Sequence, residues 1–304
     1  MENLSGLIAA TFTPMKEDGR LDLAKIPNVV EKLISEGING LYVCGGTGEG
    51  ASLTSDERKA TANAFIQAAS GRVPVIVQVG HNSLFEAQQL ATHAAQIGAS
   101  AISAITPTFF KPSSVDVLVD SLAIITKGAP DLPFIYYHFP AKSGLTIDVV
   151  AMLKQCPESL PSLFGVKFTD SKLFDLQSCL EVSNGRYKLF FGIDEMLLGG
   201  LTVGAHGAIG STYNFAAPLY QRIITAFQNG NLEAANQDQA LSAKLVRTFA
   251  PYGGIEGQKA IMSLIGLDCG KCRSPMNRLS DTAISQLKSD LEGIGYFEWG
   301  RKFY

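Results

Sequence analysis

The sequence lacks long apolar runs and runs of like charge. No apolar stretch approaches the ~20 residues that a membrane-spanning helix needs. Residues 1–5 have neither the basic nor the apolar region of a signal peptide. The net charge is −3, and no basic stripe is present that could neutralise nucleic-acid phosphates. We therefore expect a cytoplasmic protein that binds neither membranes nor nucleic acids.

Cysteine is scarce, with five residues in a chain of 304. Their odd number and irregular spacing do not fit a disulfide framework. Cys269 and Cys272 form a single CxxC pair, but no second pair or neighbouring histidine completes the four ligands of a structural zinc site. We expect no bound metal, and the sequence assigns no role to these two cysteines.

Apolar residues make up 46% of the chain and fall into short runs separated by amphipathic segments. These runs are nearly continuous, as is typical of parallel strands that are covered by helices on both faces. Eight βα units predict a closed (β/α)8 barrel, or TIM barrel, with an open doubly wound sheet as the alternative. The predicted strands are Gly6–Phe12, Gly40–Cys44, Val75–Val79, Ala101–Thr106, Phe134–Phe139, Phe164–Phe168, Lys188–Gly192 and Gly207–Gly210.

The helices between the strands carry recognisable boundaries. Thr54 and Glu57 have the spacing of a capping box, which Ser83 and Glu86 repeat. After Pro218 the strand pattern stops. The sequence therefore predicts a barrel over residues 1–217 and a helical C-terminal extension over residues 218–304, packed on the barrel. The extension is predicted to be helical at residues 219–250, 256–266 and 280–293, and helix ends in the barrel are marked by Gly37, Gly71 and Gly98.

Lys167 lies in the strand Phe164–Phe168, whose other residues are apolar or glycine. Removing an ammonium group from water is costly, so a lysine is rarely buried without a function. Burial also lowers the pKa of the amine and so provides the neutral form that attacks a ketone. The alternative is a lysine that faces solvent at the strand end or pairs with a carboxylate.

Other polar residues are predicted at the carboxyl ends of strands, where the reacting groups of (β/α)8 barrels lie. Tyr137 would relay protons beside an amine, or would simply fill the barrel. Asp194 and Glu195 would accept hydrogen bonds from sugar hydroxyls or cap the following helix. The glycine-rich segment 45–50 would bind an anion through its backbone N–H groups, or would form only a tight turn. Its dinucleotide fingerprint is incomplete, which disfavours a dehydrogenase.

Three segments occur in an order that resembles the dihydrodipicolinate synthase/N-acetylneuraminate lyase family. They are Gly45-Gly46-Thr47-Gly48-Glu49, Tyr137-His138-Phe139-Pro140 and Gly165-Val166-Lys167-Phe168-Thr169. The resemblance extends from about Gly6 to Gly266. Within the family, segments 167–170, 191–195 and 210–214 are most similar to the members that cleave sialic acid.

The resemblance implies roles for individual residues. Lys167 would be the Schiff-base lysine and Tyr137 the proton relay, while Thr47 and the backbone of Gly46 would hold the carboxylate of pyruvate. The implied activity is that of a class I aldolase, which reversibly cleaves N-acetylneuraminate to N-acetylmannosamine and pyruvate. It would need no cofactor besides the covalent Schiff base, and the chain would form a homotetramer. The sugar-derived part of the substrate would contact Thr169, Gly192, Asp194, Glu195, Ser211 and Tyr252.

Three positions depart from the usual family pattern. Gly46 stands where most members have serine or threonine, and Phe110 where many bacterial members have a tyrosine donated across a subunit interface. Lys142 stands where dihydrodipicolinate synthases have an arginine and sialic acid-cleaving members an apolar residue. Two alternatives therefore stay open. One is another pyruvate-dependent enzyme, such as a 2-keto-3-deoxy sugar acid aldolase or a dihydrodipicolinate synthase, and the other is a non-catalytic paralogue that binds a keto acid.

Overall fold

The chain folds into a closed barrel of eight parallel strands in sequential order, β1 to β8, in a computed structural model that describes residues 4–300. Strand β8 pairs with β1 and closes the barrel. The predicted (β/α)8 barrel is thus confirmed, and an open sheet is excluded. The strands are β1 (Gly6–Ala10), β2 (Gly40–Val43), β3 (Val75–Gln78), β4 (Ala101–Ile105), β5 (Phe134–His138), β6 (Leu163–Phe168), β7 (Lys188–Phe191) and β8 (Gly207–Gly210).

Helices follow every strand. Those between strands are α1 (Ile26–Ser35), α2 (Ser55–Ala69), α3 (Leu84–Gln96), α4 (Val115–Thr126), α5 (Pro140–Ser143), α6 (Val149–Ser159), α7 (Leu173–Ser183) and α8 (Leu197–Thr202). Those after β8 are α9 (Tyr213–Gln228), α10 (Leu232–Phe249), α11 (Gly254–Leu264), α12 (Asp281–Gly293) and α13 (Tyr296–Trp299). Helix α9 spans residues 217 and 218, and the division of the chain at that point stays a prediction.

The helix boundaries follow local sequence. Thr54 and Glu57 form the predicted capping box, in which each side chain accepts a hydrogen bond from the other residue's backbone N–H. The prediction of a continuous helix over residues 219–250 is wrong, because residues 229–231 interrupt the helix between α9 and α10. Gly230 adopts a positive φ of 74° there, and Asn231 caps α10 by accepting from the N–H of Ala234. Glycine reaches this left-handed conformation without steric cost, so it ends α9.

Side chains alternate along the strands between the barrel interior and the surrounding helices. Tyr137 belongs to the small apolar cluster inside the barrel, whereas Tyr136 packs in the large cluster beneath the helices. Lys167 lies in register with Tyr137 on one side and with Phe190, another interior residue, on the other. The side chain of Lys167 therefore points into the barrel, near the carboxyl end of β6.

Within residues 4–300, no helix combines the length and the apolar character needed to cross a membrane.

Candidate active site

A cavity of about 730 Å³ opens at the carboxyl ends of the strands. All eight strands, or the residues that directly follow them, contribute to its wall. Its volume lies within the range of pockets for small organic ligands. Nine of the ten residues predicted for the site line this cavity, namely Gly46, Thr47, Tyr137, Lys167, Thr169, Gly192, Asp194, Glu195 and Ser211.

Lys167 is buried at the bottom of this cavity, with 4% of its surface exposed. Its Nζ lies 4.2 Å from the ring centroid of Tyr137 and 4.4 Å from that of Tyr42. Burial lowers the pKa of Lys167 from 10.5 to about 7, and the nearby charge of Asp194 opposes this only in part. A large fraction of the amine is therefore neutral at physiological pH. The alternative of a lysine that faces solvent is excluded.

Tyr137 is held by packing against two aromatic rings. Its ring contacts Tyr42 edge-on, with centroids 6.0 Å apart, and stacks on Phe139 at 5.6 Å. Burial raises the pKa of the Tyr137 hydroxyl, against a smaller opposing effect of the Thr169 hydroxyl. The phenol is therefore protonated in the free protein, and its hydroxyl belongs to the same cavity as the Lys167 amine.

Tyr42 is a site residue that the sequence reasoning missed. Its hydroxyl shares a hydrogen bond of 3.0 Å with Ser103 Oγ, which in turn donates to the Ile135 carbonyl at 2.7 Å. This network fixes the ring beside Lys167. The alternation of β2 could have revealed Tyr42 as an interior residue, because it lies one position from Leu41 and Val43, which face the helices.

The glycine-rich segment 45–50, called here the carboxylate loop, follows β2. Its turn is closed by hydrogen bonds from the Glu49 N–H to the Gly46 carbonyl and from the Gly50 N–H to the Gly45 carbonyl, both 3.0 Å long. Glu49 adopts a left-handed φ of 57°. A β-carbon added at Gly46 would meet no atom within 4 Å, so this position has room for a side chain.

Asp194 lies in a short 3-10 turn after β7 and is 5% exposed. Its Oδ2 accepts hydrogen bonds from the backbone N–H of Thr212 at 2.9 Å and from the Thr212 hydroxyl at 2.7 Å. The carboxylate is therefore joined to Thr212, at the start of α9, rather than capping α8, the helix that follows it in sequence. A β-carbon at Gly210 would lie 1.7 Å from Asp194 Oδ1, so only glycine fits there. Burial raises the pKa of both Asp194 and Glu195.

The structure places Tyr252 away from the cavity wall. Its hydroxyl donates a hydrogen bond to the carboxylate of Asp290 on α12. Two of the positions that depart from the family pattern differ in their location. Lys142 lines the cavity, whereas Phe110 is 84% exposed and lies outside the cavity wall. A substrate-binding role for Tyr252 stays a prediction that this placement does not support.

The C-terminal extension supplies a large part of the cavity wall. Sequence reasoning expected only Tyr252 there, because helical periodicity gives no information on which turn covers the mouth of a barrel. The residues that actually line the cavity from the extension are Val246, Phe249, Gly254, Ile255, Glu256, Gln258 and Met276.

Comparison with known proteins agrees with this geometry. Residues 3–294 match the model of the Dihydrodipicolinate synthetase family. The chain belongs to this family. The resemblance inferred from the three sequence segments is thereby confirmed.

Its relatives in the family include proteins named for sialic acid cleavage. The chain is 40% identical to the N-acetylneuraminate lyase of Gallus gallus, covering 96% of this chain and 97% of that protein. The solved Proteus mirabilis N-acetylneuraminate lyase superimposes with a TM-score of 0.93 at 36% identity, covering 96% and 99% of the two chains. A dihydrodipicolinate synthase of Bacillus anthracis gives a TM-score of 0.89 at 25% identity, covering 95% and 97%. The chain is thus more similar in sequence to these two lyases than to this synthase.

The structure also bears on metal binding. Among residues 4–300, no three His, Cys, Asp or Glu side chains lie close enough together to hold a metal ion. Cys269 and Cys272 are buried with free thiols. The expectation that the protein uses neither a metal nor an organic cofactor stays a prediction.

Proposed function

We propose that the chain is a class I aldolase that cleaves N-acetylneuraminate to N-acetylmannosamine and pyruvate. The observation that carries this proposal is the buried Lys167 amine, whose pKa of about 7 makes it a nucleophile at neutral pH, at the bottom of a cavity of about 730 Å³. The 40% identity to the Gallus gallus lyase supports sialic acid as the substrate.

The reaction begins when the neutral Lys167 amine attacks the C2 ketone of the open-chain substrate. Loss of water gives an iminium, which draws electrons from the bond between C3 and C4. Tyr137 accepts the proton of the C4 hydroxyl as that bond breaks, while its own phenolic proton passes to the substrate carboxylate. N-acetylmannosamine then leaves with C4 as its aldehyde carbon. Protonation of the remaining enamine at C3 and hydrolysis release pyruvate and regenerate the amine.

The other lining residues bind the two ends of the substrate. The carboxylate loop would hold the carboxylate through the Thr47 hydroxyl and the backbone of Gly46. The sugar hydroxyls would donate to Asp194 and Glu195, which follow β7, the strand next to that of Lys167. The contacts to the hydroxylated chain are completed by Thr169, Gly192 and Ser211, which line the same cavity. The homotetramer and the cytoplasmic location stay predictions.

Borohydride reduction followed by peptide mapping tests the proposal. After incubation with N-acetylneuraminate, we expect a reduced pyruvate adduct on Lys167. An adduct from pyruvate but not from N-acetylneuraminate would keep the Schiff-base chemistry and overturn the substrate. The second candidate would then be a 2-keto-3-deoxy sugar acid aldolase, which is favoured by the ammonium of Lys142 on the cavity wall. Ligand binding without any adduct would indicate a non-catalytic paralogue.

The pKa of Lys167 gives a pH prediction. Because only the neutral amine attacks, the initial rate of adduct formation from pyruvate should rise with pH and level off above a midpoint near 7. Replacing Asp194 by asparagine removes a charge that raises the Lys167 pKa, so the midpoint should move to lower pH. Rates measured across about pH 5 to 9 provide the test. A rate independent of pH over this range would contradict it.

Gly46 offers a gain-of-affinity prediction. The open space at this position should let Gly46→Ser place a hydroxyl beside the substrate carboxylate without disturbing the fold. One added hydrogen bond to a charged group should lower KM about 3- to 10-fold while leaving kcat nearly unchanged. Gly45→Ser is the matched control, since its β-carbon would lie 2.6 Å from the Tyr42 ring and should impair the site. An unchanged KM for Gly46→Ser would show that the carboxylate binds elsewhere.

A further inference from the structure

Glu49 is an unusual member of the carboxylate loop, because its carboxylate is completely buried although the residue lies at the cavity wall. The residue as a whole is 3% exposed and adopts a left-handed backbone conformation. A carboxylate in such a position needs partners for both oxygens. The C-terminal extension supplies them.

The first partner is Lys259 of α11, whose Nζ lies 2.6 Å from Glu49 Oε1. The side chains of this ion pair are 2% and 0% exposed. Glu49 Oε2 accepts a hydrogen bond of 2.8 Å from the backbone N–H of Arg273. Both oxygens of one loop residue are thus bound by residues of the extension.

The same part of the extension also holds the residues that follow the loop. The Arg273 guanidinium donates to the carbonyl of Ser52, two residues after the loop, at 2.9 Å, and to the Glu57 carboxylate at 2.7 and 2.8 Å. From the opposite side, the Thr13 hydroxyl donates to the Gly48 carbonyl at 2.6 Å. The carboxylate loop is therefore fixed between the barrel and the extension.

The energetics of burial limit what this ion pair can add to stability. Desolvating two charges offsets most of their attraction, and a buried pair can often be replaced by apolar residues without loss of stability. Removing one partner, by contrast, leaves a buried charge uncompensated. A buried ion pair therefore defines geometry more than it adds to the free energy of unfolding.

We propose that Glu49 and Lys259 are positioning residues, which hold the carboxylate loop in the shape that captures the carboxylate of the keto acid. This inference rests on the proposed function for the nature of the ligand. It explains why the barrel carries an extension whose helix α11 reaches the loop. Both oxygens of Glu49 are engaged by the extension, so the loss of either residue should affect substrate capture rather than the chemical step.

The test replaces Lys259 by methionine, which keeps the length of the side chain and removes its charge. We expect KM for N-acetylneuraminate, and the pyruvate concentration that half-saturates borohydride trapping, to rise about tenfold or more. The kcat at saturating substrate should change by less than about threefold, because an interaction equally present in the ground state and transition state affects KM alone. The inference would be overturned if KM and the half-saturating pyruvate concentration both rose by less than about twofold.

A second variant keeps the test decisive if Lys259→Met does not fold. The double variant Glu49→Gln/Lys259→Met contains no unpaired buried charge, so it should fold. Its KM should be raised about as much as that of Lys259→Met, because two residues that act as one unit have non-additive effects. A double variant with the KM of the unmodified protein would overturn the inference.

Asp238→Asn is the matched control for a general loss of stability. Asp238 forms an ion pair with Arg222 at 2.8 Å in the extension, with side chains 17% and 10% exposed, and neither residue lines the cavity. This variant should lower the melting temperature and leave KM unchanged. An equal rise of KM in Asp238→Asn would overturn the specific role of Glu49 and Lys259. Failure of the unmodified protein to form any pyruvate adduct would instead overturn the proposed function.

Discussion

Lys167→Met should lose at least ~10³-fold in kcat and form no borohydride adduct, because no other group can replace the amine as nucleophile. Methionine has a similar length and can fill the same space between the rings of Tyr42 and Tyr137. The comparison of turnover and intact mass for the two proteins tests this result. Lys172→Met, which changes an exposed lysine a few residues further along the chain, is the matched control and should retain normal activity.

Lys167→Met should also be more stable than the unmodified protein at neutral pH, by on the order of 1–4 kcal/mol in the free energy of unfolding. The amine of Lys167 has a pKa of about 7 when folded and 10.5 when unfolded. Between these pH values the unfolded chain binds more protons than the folded one, so the stability of the unmodified protein rises with pH. The advantage of Lys167→Met should therefore shrink as pH rises from about 7 to 10.5.

Denaturant unfolding at several pH values measures this advantage. A stability difference that stays constant across the interval would mean that Lys167 is charged in the folded protein throughout.

If Lys167→Met still formed the borohydride adduct, the nucleophile would be another residue, and the proposed mechanism would lose its basis.

Tyr137→Phe should lower kcat by about 10²–10⁴-fold, which is the usual contribution of a positioned acid–base group. Phenylalanine keeps the contacts of the ring with Tyr42 and Phe139, so the fold and the packing around Lys167 should persist. Pyruvate should still be trapped on Lys167 at long incubation times, since the amine remains. Steady-state kinetics together with the extent of trapping separate the loss of proton transfer from a loss of the nucleophile.

Tyr136→Phe is the control for Tyr137. Tyr136 is the adjacent residue, 3% exposed, and packs under the helices rather than inside the barrel. Removing the Tyr136 hydroxyl should leave kcat within about threefold of the value for the unmodified protein. Unchanged activity of Tyr137→Phe would remove this residue from the mechanism, and equal losses in both variants would indicate a general effect of the strand.

The sequence was sufficient to predict the barrel, because each βα unit leaves a local pattern of apolar residues and boundaries. It also placed Lys167 and Tyr137 correctly in the cavity, since strand ends converge in this fold. The partners of Glu49 could not be predicted in this way. Arg273 lies 224 residues further along the chain, and helical periodicity gives no information on which turn of an extension meets which loop. Tyr252 shows the same limit, because the direction of a side chain in a short turn depends on tertiary packing.

The hydrogen bonds of Arg273 make the order of protein synthesis relevant to activity. The carboxylate loop leaves the ribosome early, but the residues that fix Glu49 are made only near the end of the chain. A nascent barrel that already contains Lys167 therefore still has a carboxylate loop in which Glu49 lacks its partners. On the proposed function, unfinished chains should capture keto acids poorly until residue 273 has left the ribosome.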